Sequence, residues 1–405
     1  MAKRSAFEAM ASGSSKNSGG LKSEKQQKAE SRVLDGNAAM ESFLDAQGAL
    51  ANERFLVCVI SKGRPNNVPL VNILFTGTDI LPTWVVGVGE SEAYKEKGAY
   101  AAIEGGGLCA SRNAAIELAK SSGKICLQMS DDISEVKILH QDPGAWQKPK
   151  DLTAGNALSK EIDKHCVSPV VAARAIELAM REAGAKLGGA YPTHNEGQAM
   201  ICTPISLDLF IVGDFLVIDP SSSPRFDEKM SLKEDYDLTA SHLLTYGVAA
   251  RSNRVMVKAA HYTNAGGAVA VRNDDREQYN IAVLRHKWPG VFPQHGTRGV
   301  NEVRMTWPSR GTLLGGTKNI PRPAAPPGYE SGVTMPPATK KNSILNFFSK
   351  AKPTAATDKG VLSSSSPKKS SAVATTATAA LGGSSPSSSI PISPANCPAA
   401  AAGKS

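Results

Sequence analysis

Residues 105–133 read GGGLCASRNAAIELAKSSGKICLQMSDDI, and the order of its parts decides the fold. Ser111, Arg112 and Asn113 open a helical pattern that closes at Gly123, and ICLQMS (125–130) then reads as a buried strand running straight into Asp131 and Asp132. Two like charges side by side repel, and each resists leaving water unless a cation or a hydrogen-bond donor offsets it. The free N–H groups and the Arg at the helix start suit phosphate or another acidic group. The paired carboxylates suit Mg2+ or Mn2+, which take oxygen ligands and bridge a nucleotide diphosphate. Each part alone has an ordinary reading, as a helix cap and as a solvated turn. Their joint order points to a site.

Upstream of this stretch, FLVCVIS (55–61) reads as a buried strand, NNVPLVNILF (66–75) as a helix with a Pro in its first turns, and TWVVGVG (83–89) as a second strand. Strand, helix, strand, helix, strand is the pattern of a parallel sheet with covering helices, whose ligands collect at the carboxyl ends of strands. Asp131 and Asp132 fall at such an end. Further on, VVAARAIELAMREAGAKLGG (170–189) sets Ala172, Ile176, Ala179 and Met180 on one helical face and is expected to end on its glycines. ICTPISLDLFIVGDFLVID (201–219) supplies strand-like material without a clear intervening helix, which predicts a mixed, partly antiparallel second half. The fold class expected is α/β.

The net charge of +9 over 405 residues is unevenly spread. Residues 336–405 carry eight Lys against one Asp, and residues 1–32 carry seven Lys or Arg against three Glu, which leaves the body slightly acidic at −2. Attraction to phosphate polymers therefore begins in the flanks. Residues 1–50 are expected to be a mostly disordered flank that turns helix-friendly from Leu21, residues 51–310 a single folded domain, and residues 311–405 a Pro/Ser-rich disordered tail. The six cysteines form no CxxC pair and read as reduced and structural. No apolar run approaches the roughly 20 residues of a membrane span, and the opening MAKRSAFEAM does not read as a secretory leader.

A second constellation is SPRFDEKMSLKEDYDLTASHLLTYG (223–247), where Glu234 and Asp235 precede an amphipathic helix. Acidic residues at a helix start are favoured by the helix dipole, so capping and solvation are the plain reading. Tyr191, His194 and Asn195 in GGAYPTHNEGQAM (188–200) are placed to stack on or hydrogen-bond an acceptor, or to form a surface turn.

The Arg-Asn helix start, the short helix ending in Gly and the strand running into Asp residues resemble the donor-binding half of GT-A glycosyltransferases, particularly family-2-like enzymes. VCVISKGRP (57–65) resembles their first strand and nucleotide-binding turn, which puts Ser61 and Arg64 with the donor. The resemblance implies a nucleotide-diphospho-sugar transferase fold, a Rossmann-like mixed sheet flanked by helices. It also implies a UDP-sugar donor positioned by Arg112 and Asn113 and a divalent metal (Mn2+ or Mg2+) held by Asp132, with Asp131 assisting. Where the family has an Asp, this chain has Ser130. An x-Glu-Asp motif occupies the place of Lys233-Glu234-Asp235, which implies Asp235 as general base of an inverting enzyme, with Glu234 next in line. A third metal ligand in the family is often a late His, and the candidates are His261 and His286, with His295 behind them.

More narrowly, the SKGRP turn, the SRN helix, the Asp pair and KEDYDLTASHLLTYG are similar to the glycosyltransferases associated with TET/JBP oxygenases, which include the base J glucosyltransferase. That similarity implies a hydroxymethylated pyrimidine in DNA as acceptor. In the tail, KKNSILNFFSK (340–350) sets Ile344, Phe347 and Phe348 in the positions of a sliding-clamp (PCNA) interaction box at 341–348, with Lys341 where the box normally has Gln. The expected setting is the nucleus. Two rivals stand beside this reading: a catalytically weakened glycosyltransferase-like module docked on the clamp, and a cytosolic enzyme acting on protein or glycan.

Overall fold

The computed structural model describes residues 22–140, 163–260, 272–293, 299–308 and 322–329. His261, His295 and the clamp-box residues 341–348 lie outside the described residues. In chain order the elements are α1 (Glu24–Ala46), β1 (Phe55–Ile60), α2 (Val68–Asn72), β2 (Thr83–Val86), α3 (Ser91–Glu96), β3 (Ala101–Glu104), α4 (Leu108–Ser121), β4 (Ile125–Ser130), β5 (Ile133–His140), β6 (Asp163–Cys166), α5 (Pro169–Ala183), β7 (Leu187–Tyr191), α6 (Glu196–Ile201), β8 (Ile205–Ser206), β9 (Phe215–Ile218), α7 (Glu234–Tyr246), β10 (Ala250–Ala259) and α8 (Asp274–Lys287).

One mixed sheet orders its strands β3-β2-β1-β4-β9-β7-β10-β5-β6, with the short β8 pairing β10. The first four strands are parallel, as the alternation predicts. β1 and β4 sit inside the sheet with both faces covered, which is why FLVCVI and ICLQMS are nearly continuous apolar runs. Gln128, fully buried in β4, donates its Nε2 to the Arg112 carbonyl at 2.7 Å and so ties α4 to the strand beneath it. β9 then runs antiparallel between β4 and β7, and β5 runs antiparallel to β10. The fold is α/β with a mixed sheet flanked by helices, and no helix among the described residues is long and apolar enough to cross a membrane.

Two local expectations need correction. The helix expected over 170–189 ends at Ala183, where Gly184 adopts the left-handed conformation (φ 68°), and Gly188 and Gly189 belong to β7. Their smallness serves packing, because a Cβ on Gly188 would come within 2.5 Å of Ile176 and 2.6 Å of Met180. The second correction concerns the N-terminal flank: the part expected to be helix-friendly does form a helix, 23 residues over 24–46, but it is docked on the body rather than part of a mostly disordered flank. Ser23 and Gln26 close a capping box at its start, and Val33, Met40 and Leu44 are buried. Gly36 lies so close to the Cys166 carbonyl that a Cβ would sit 1.8 Å from that oxygen. Asn37 accepts the Ser168 amide at 2.8 Å, and Asp45 pairs with Arg174. Polar anchoring by so few apolar residues is why the segment reads as a flank. Cys58, Cys109, Cys126 and Cys166 are buried free thiols.

Candidate active site

β1 and β4 pair with Ile60 opposite Ser130, so the residues that follow them, Ser61 and Asp131, emerge together at the carboxyl ends of these two strands. The Ser61 hydroxyl donates to Asp131 Oδ2 and lies 2.6 Å from the Tyr94 hydroxyl. Arg64 brings its Nε to 3.1 Å from the same Asp131 oxygen and donates its amide to Tyr94 at 2.9 Å. Glu90 holds the turn from outside, accepting the Gly63 amide at 2.9 Å and the Gly87 amide at 3.2 Å. Asp131 is 2% exposed, and its Oδ1 has no hydrogen-bond partner. Burial pushes its carboxyl up to about 6, opposed by Arg64 and Ser61 and reinforced by the neighbouring charge of Asp132. Ser61, Arg64 and Asp131, expected to share the donor site, are therefore brought into one cluster. Tyr94, which links them, carried no signal in the sequence.

Asp132 is half-buried, and its carboxylate makes no hydrogen bond or ion pair with the described residues. Its carbonyl accepts the Ala260 amide at 3.2 Å, which anchors the end of β10 beside it. His286, expected as a third metal ligand, donates Nδ1–H to the Pro323 carbonyl at 2.8 Å and packs edge-on against Tyr329. No group of three or more His, Cys, Asp or Glu with the geometry to hold a metal ion stands among the described residues.

The link from this cluster to the second acidic motif runs through a residue that sequence reasoning passed over. Ser130 donates its hydroxyl to Asp214 Oδ1 at 3.0 Å and its amide to the Asp214 carbonyl at 2.9 Å. Next to Asp214, the Gly213 amide donates to Asp235 Oδ2 at 3.0 Å, while the Gly213 carbonyl accepts Arg112 Nη1 at 2.9 Å. A Cβ at 213 would come 2.8 Å from Arg112 Nη2 and 3.3 Å from the Asp235 Cβ, so only glycine threads between them. The signal available in the sequence was an acid directly before the apolar FLVI run, at the start of a strand antiparallel to β4.

Arg112 and Asn113, expected to position a donor, are engaged inside the protein. Arg112 is 5% exposed, sets Nη2 3.3 Å from Glu234 Oε1, and lies 5.3 Å from the Phe226 ring centroid. Asn113 accepts the Phe226 amide at 2.9 Å and donates to the Phe226 carbonyl and to Glu228, both at 3.0 Å. These two side chains hold the loop leading into α7.

Glu234 and Asp235 open α7. Burial raises the pKa of both, and the charge of Asp235 pushes Glu234 further up while Arg112 opposes it. For Asp235 the opposing groups are the Gly213 amide, Arg112 and Lys233. Adjacent carboxyls of this kind titrate as a pair, with one holding a proton into the neutral range, which suits acid–base work. Lys233, just before them, has φ 62° and is the one non-glycine residue at positive φ among the described residues. Such a backbone costs about 1–2 kcal/mol for a residue with a Cβ.

Tyr191 closes β7, and His194 and Asn195 lie in the turn that follows it. Tyr191 is buried beneath the Arg251 guanidinium, Asn195 caps α6 through the Gln198 amide at 3.0 Å, and His194 Nε2 lies 3.6 Å from Glu135. Ser222 and His242 form a 2.7 Å pair resembling a nucleophile and base, yet both are buried, and His242 spends Nδ1 on the Leu238 carbonyl at 2.9 Å. Burial pulls that imidazole down to about 4, which keeps it neutral.

No protein-family model and no curated protein matches the chain.

Proposed function

We propose that the site at the carboxyl ends of β1 and β4 transfers a hexose from a UDP-sugar to a hydroxyl acceptor, in the manner of GT-A glycosyltransferases, and that the acceptor is a hydroxymethylated pyrimidine in DNA. The observation that carries the reading is the bridge Ser130, Asp214, Gly213, Asp235, which joins a strand-end acid pair to a second acid pair. The sheet order supports it too, with four parallel strands followed by the reversed β9. The DNA acceptor and the clamp rest on the sequence resemblance.

A divalent cation fits the donor end. Asp131 offers a buried oxygen without a partner and Asp132 an unbonded carboxylate, and Mg2+ or Mn2+ is often held by one or two carboxylates with substrate phosphates completing its shell. Asp132 and Asp131 would hold it, and when bound it would neutralise the charge of the departing diphosphate. Ser61 and Arg64 orient the donor and help exclude water from it. Asp235 accepts the proton of the acceptor hydroxyl as that oxygen attacks the anomeric carbon. Glu234, paired with Arg112, fixes the local charge around the base.

The test is incubation with labelled UDP-sugars and Mn2+ on DNA containing hydroxymethyluracil or hydroxymethylcytosine, read by nucleoside mass spectrometry. Hexosylated nucleoside is expected, and its loss in Asp132→Ala without a fall in Tm supports the metal role. No transfer to any modified base removes the DNA acceptor. The weakened-module reading is favoured by one observation, Ser130 in place of an acid, and UDP-glucose hydrolysis in the presence of Mn2+ separates it from an active enzyme.

A further inference from the structure

We propose that Lys233 is a positioning residue for the Glu234 and Asp235 pair, aiming both carboxyls through a left-handed backbone turn that α8 clamps. The proposal rests on the reading of that pair as the acid–base group. An N-cap is normally an extended Ser, Thr, Asp or Asn whose side chain takes a helix amide, whereas Lys233 caps α7 at φ 62° and ψ 17° with no side-chain cap. A strained residue persists only where its surroundings over-determine it.

Here the surroundings do so through one face of α8. Glu277 and Asn280 lie three positions apart, as helix neighbours, and are both buried. Asn280 Oδ1 accepts the Ser231 amide at 3.1 Å and the Leu232 amide at 3.4 Å, and Glu277 Oε2 lies 3.0 Å from Lys233 Nζ. Arg272 Nε stands 2.7 Å from the other Glu277 oxygen. Residues 231–233 are thus held one after another on a template, and the next two residues are the acid pair. The groups facing Asp235 are Arg112 from α4, the Gly213 amide before β9, and Glu234 and Lys233 at its own helix start, with Asp214 facing Glu234. Lys233 and Arg112 are the cations of that set.

The test compares Lys233→Gly and Glu277→Gln in the full chain. Glycine accepts the left-handed turn, so Lys233→Gly keeps the backbone and removes the ammonium, while Glu277→Gln removes the clamp's charge and keeps Lys233. Carboxyl 13C NMR titration is expected to show the Asp235 midpoint moving up in Lys233→Gly. Turnover is expected to fall about tenfold with the donor KM unchanged, because the donor cluster lies elsewhere. Glu277→Gln should move turnover the same way. Wild-type titration and wild-type kcat in both variants overturn the proposal. If the wild-type protein transfers no sugar, the functional reading fails while the NMR titration still decides this one, an unmoved Asp235 midpoint counting against it.

Discussion

Ser130 and Asp214 are joined twice, hydroxyl to carboxylate at 3.0 Å and amide to carbonyl at 2.9 Å, across neighbouring antiparallel strands. Ser130 therefore stands against an acid, Asp214, held immediately before β9. Asp214 also helps hold the Glu234 pKa up by repulsion. Replacing it by Asn removes a negative neighbour, which makes ionisation easier, so the Glu234 midpoint should fall. The measurement is the same carboxyl NMR titration applied to Asp214→Asn. A midpoint that stays put or rises means the two acids do not interact.

The acid pair itself should show in turnover. Asp235→Asn is expected to lower kcat by about 10²–10⁴-fold, the usual contribution of a positioned base, with little change in donor KM. Glu234→Gln keeps Asp235, the proposed base, and should cost less. Steady-state kinetics on hydroxymethylated DNA check both, and equal losses in the two variants would reassign the base.

Asp131 gives a stability prediction with a definite sign. Its folded pKa of about 6 lies above its ordinary value of 3.8, so the folded state binds the extra proton between those limits. That contribution is complete below about pH 4 and is lost as pH rises through 6, a change of at most about 3 kcal/mol. Asp131→Asn cannot lose it. The variant should gain stability relative to wild type as pH rises from 4 to 7 in denaturant titrations, while sugar transfer falls. Parallel stability curves over that range would remove Asp131 as a strained, function-bearing carboxyl.

Much of the parallel half was legible because β1 and β4 are covered on both faces and their apolar runs end abruptly at Ser61 and Asp131. The SKGRP turn and the Asp pair were readable as one site for the same reason, since parallel neighbours deliver their ends together. What was not legible depended on long-range pairing. Nothing local marks β9 as the strand that inserts beside β4 and brings Asp214 to Ser130, nor Tyr94 as the hydroxyl between Ser61 and Arg64. Arg112 looked available from its helix position and proves to be spent on Gly213 and Glu234.

Behind the acid pair, Lys287 supports α7 from α8. Its Nζ lies 2.9 Å from Asp227 and 2.7 Å from Asp237, and Trp288 and Tyr329 donate to the same two carboxylates at 2.7 Å each. Removing the cation leaves two buried negative charges uncompensated, so Lys287→Ala should cost about 3–5 kcal/mol. Thermal and denaturant unfolding check this, and a loss below about 1 kcal/mol would mean that water reaches the site. Lys287→Met, which keeps the stem, should cost nearly as much if the charge and not the packing is responsible.

The N-terminal helix α1 packs on the body as part of the folded domain. A chain starting at residue 51 would leave Arg174, whose side chain is 4% exposed, without Asp45 and without the Leu50 carbonyl that accepts its Nε at 2.6 Å. It would also strip the Ser168 amide at the start of α5 of the Asn37 acceptor and uncover the surface under Val33, Met40 and Leu44. Each fully buried side chain of this size contributes about 1.5–3 kcal/mol, and an orphaned buried charge costs more than an orphaned amide. Deletion of residues 1–50 should therefore lower Tm steeply or prevent soluble folding, whereas a chain starting at Lys22 keeps the Ser23 capping box and should unfold like the full protein. Gly36→Ala tests the same contact inside the intact chain, since its new methyl would collide with the Cys166 carbonyl. Equal Tm values for the residue-51 chain and the full protein would show α1 to be a passenger on the fold.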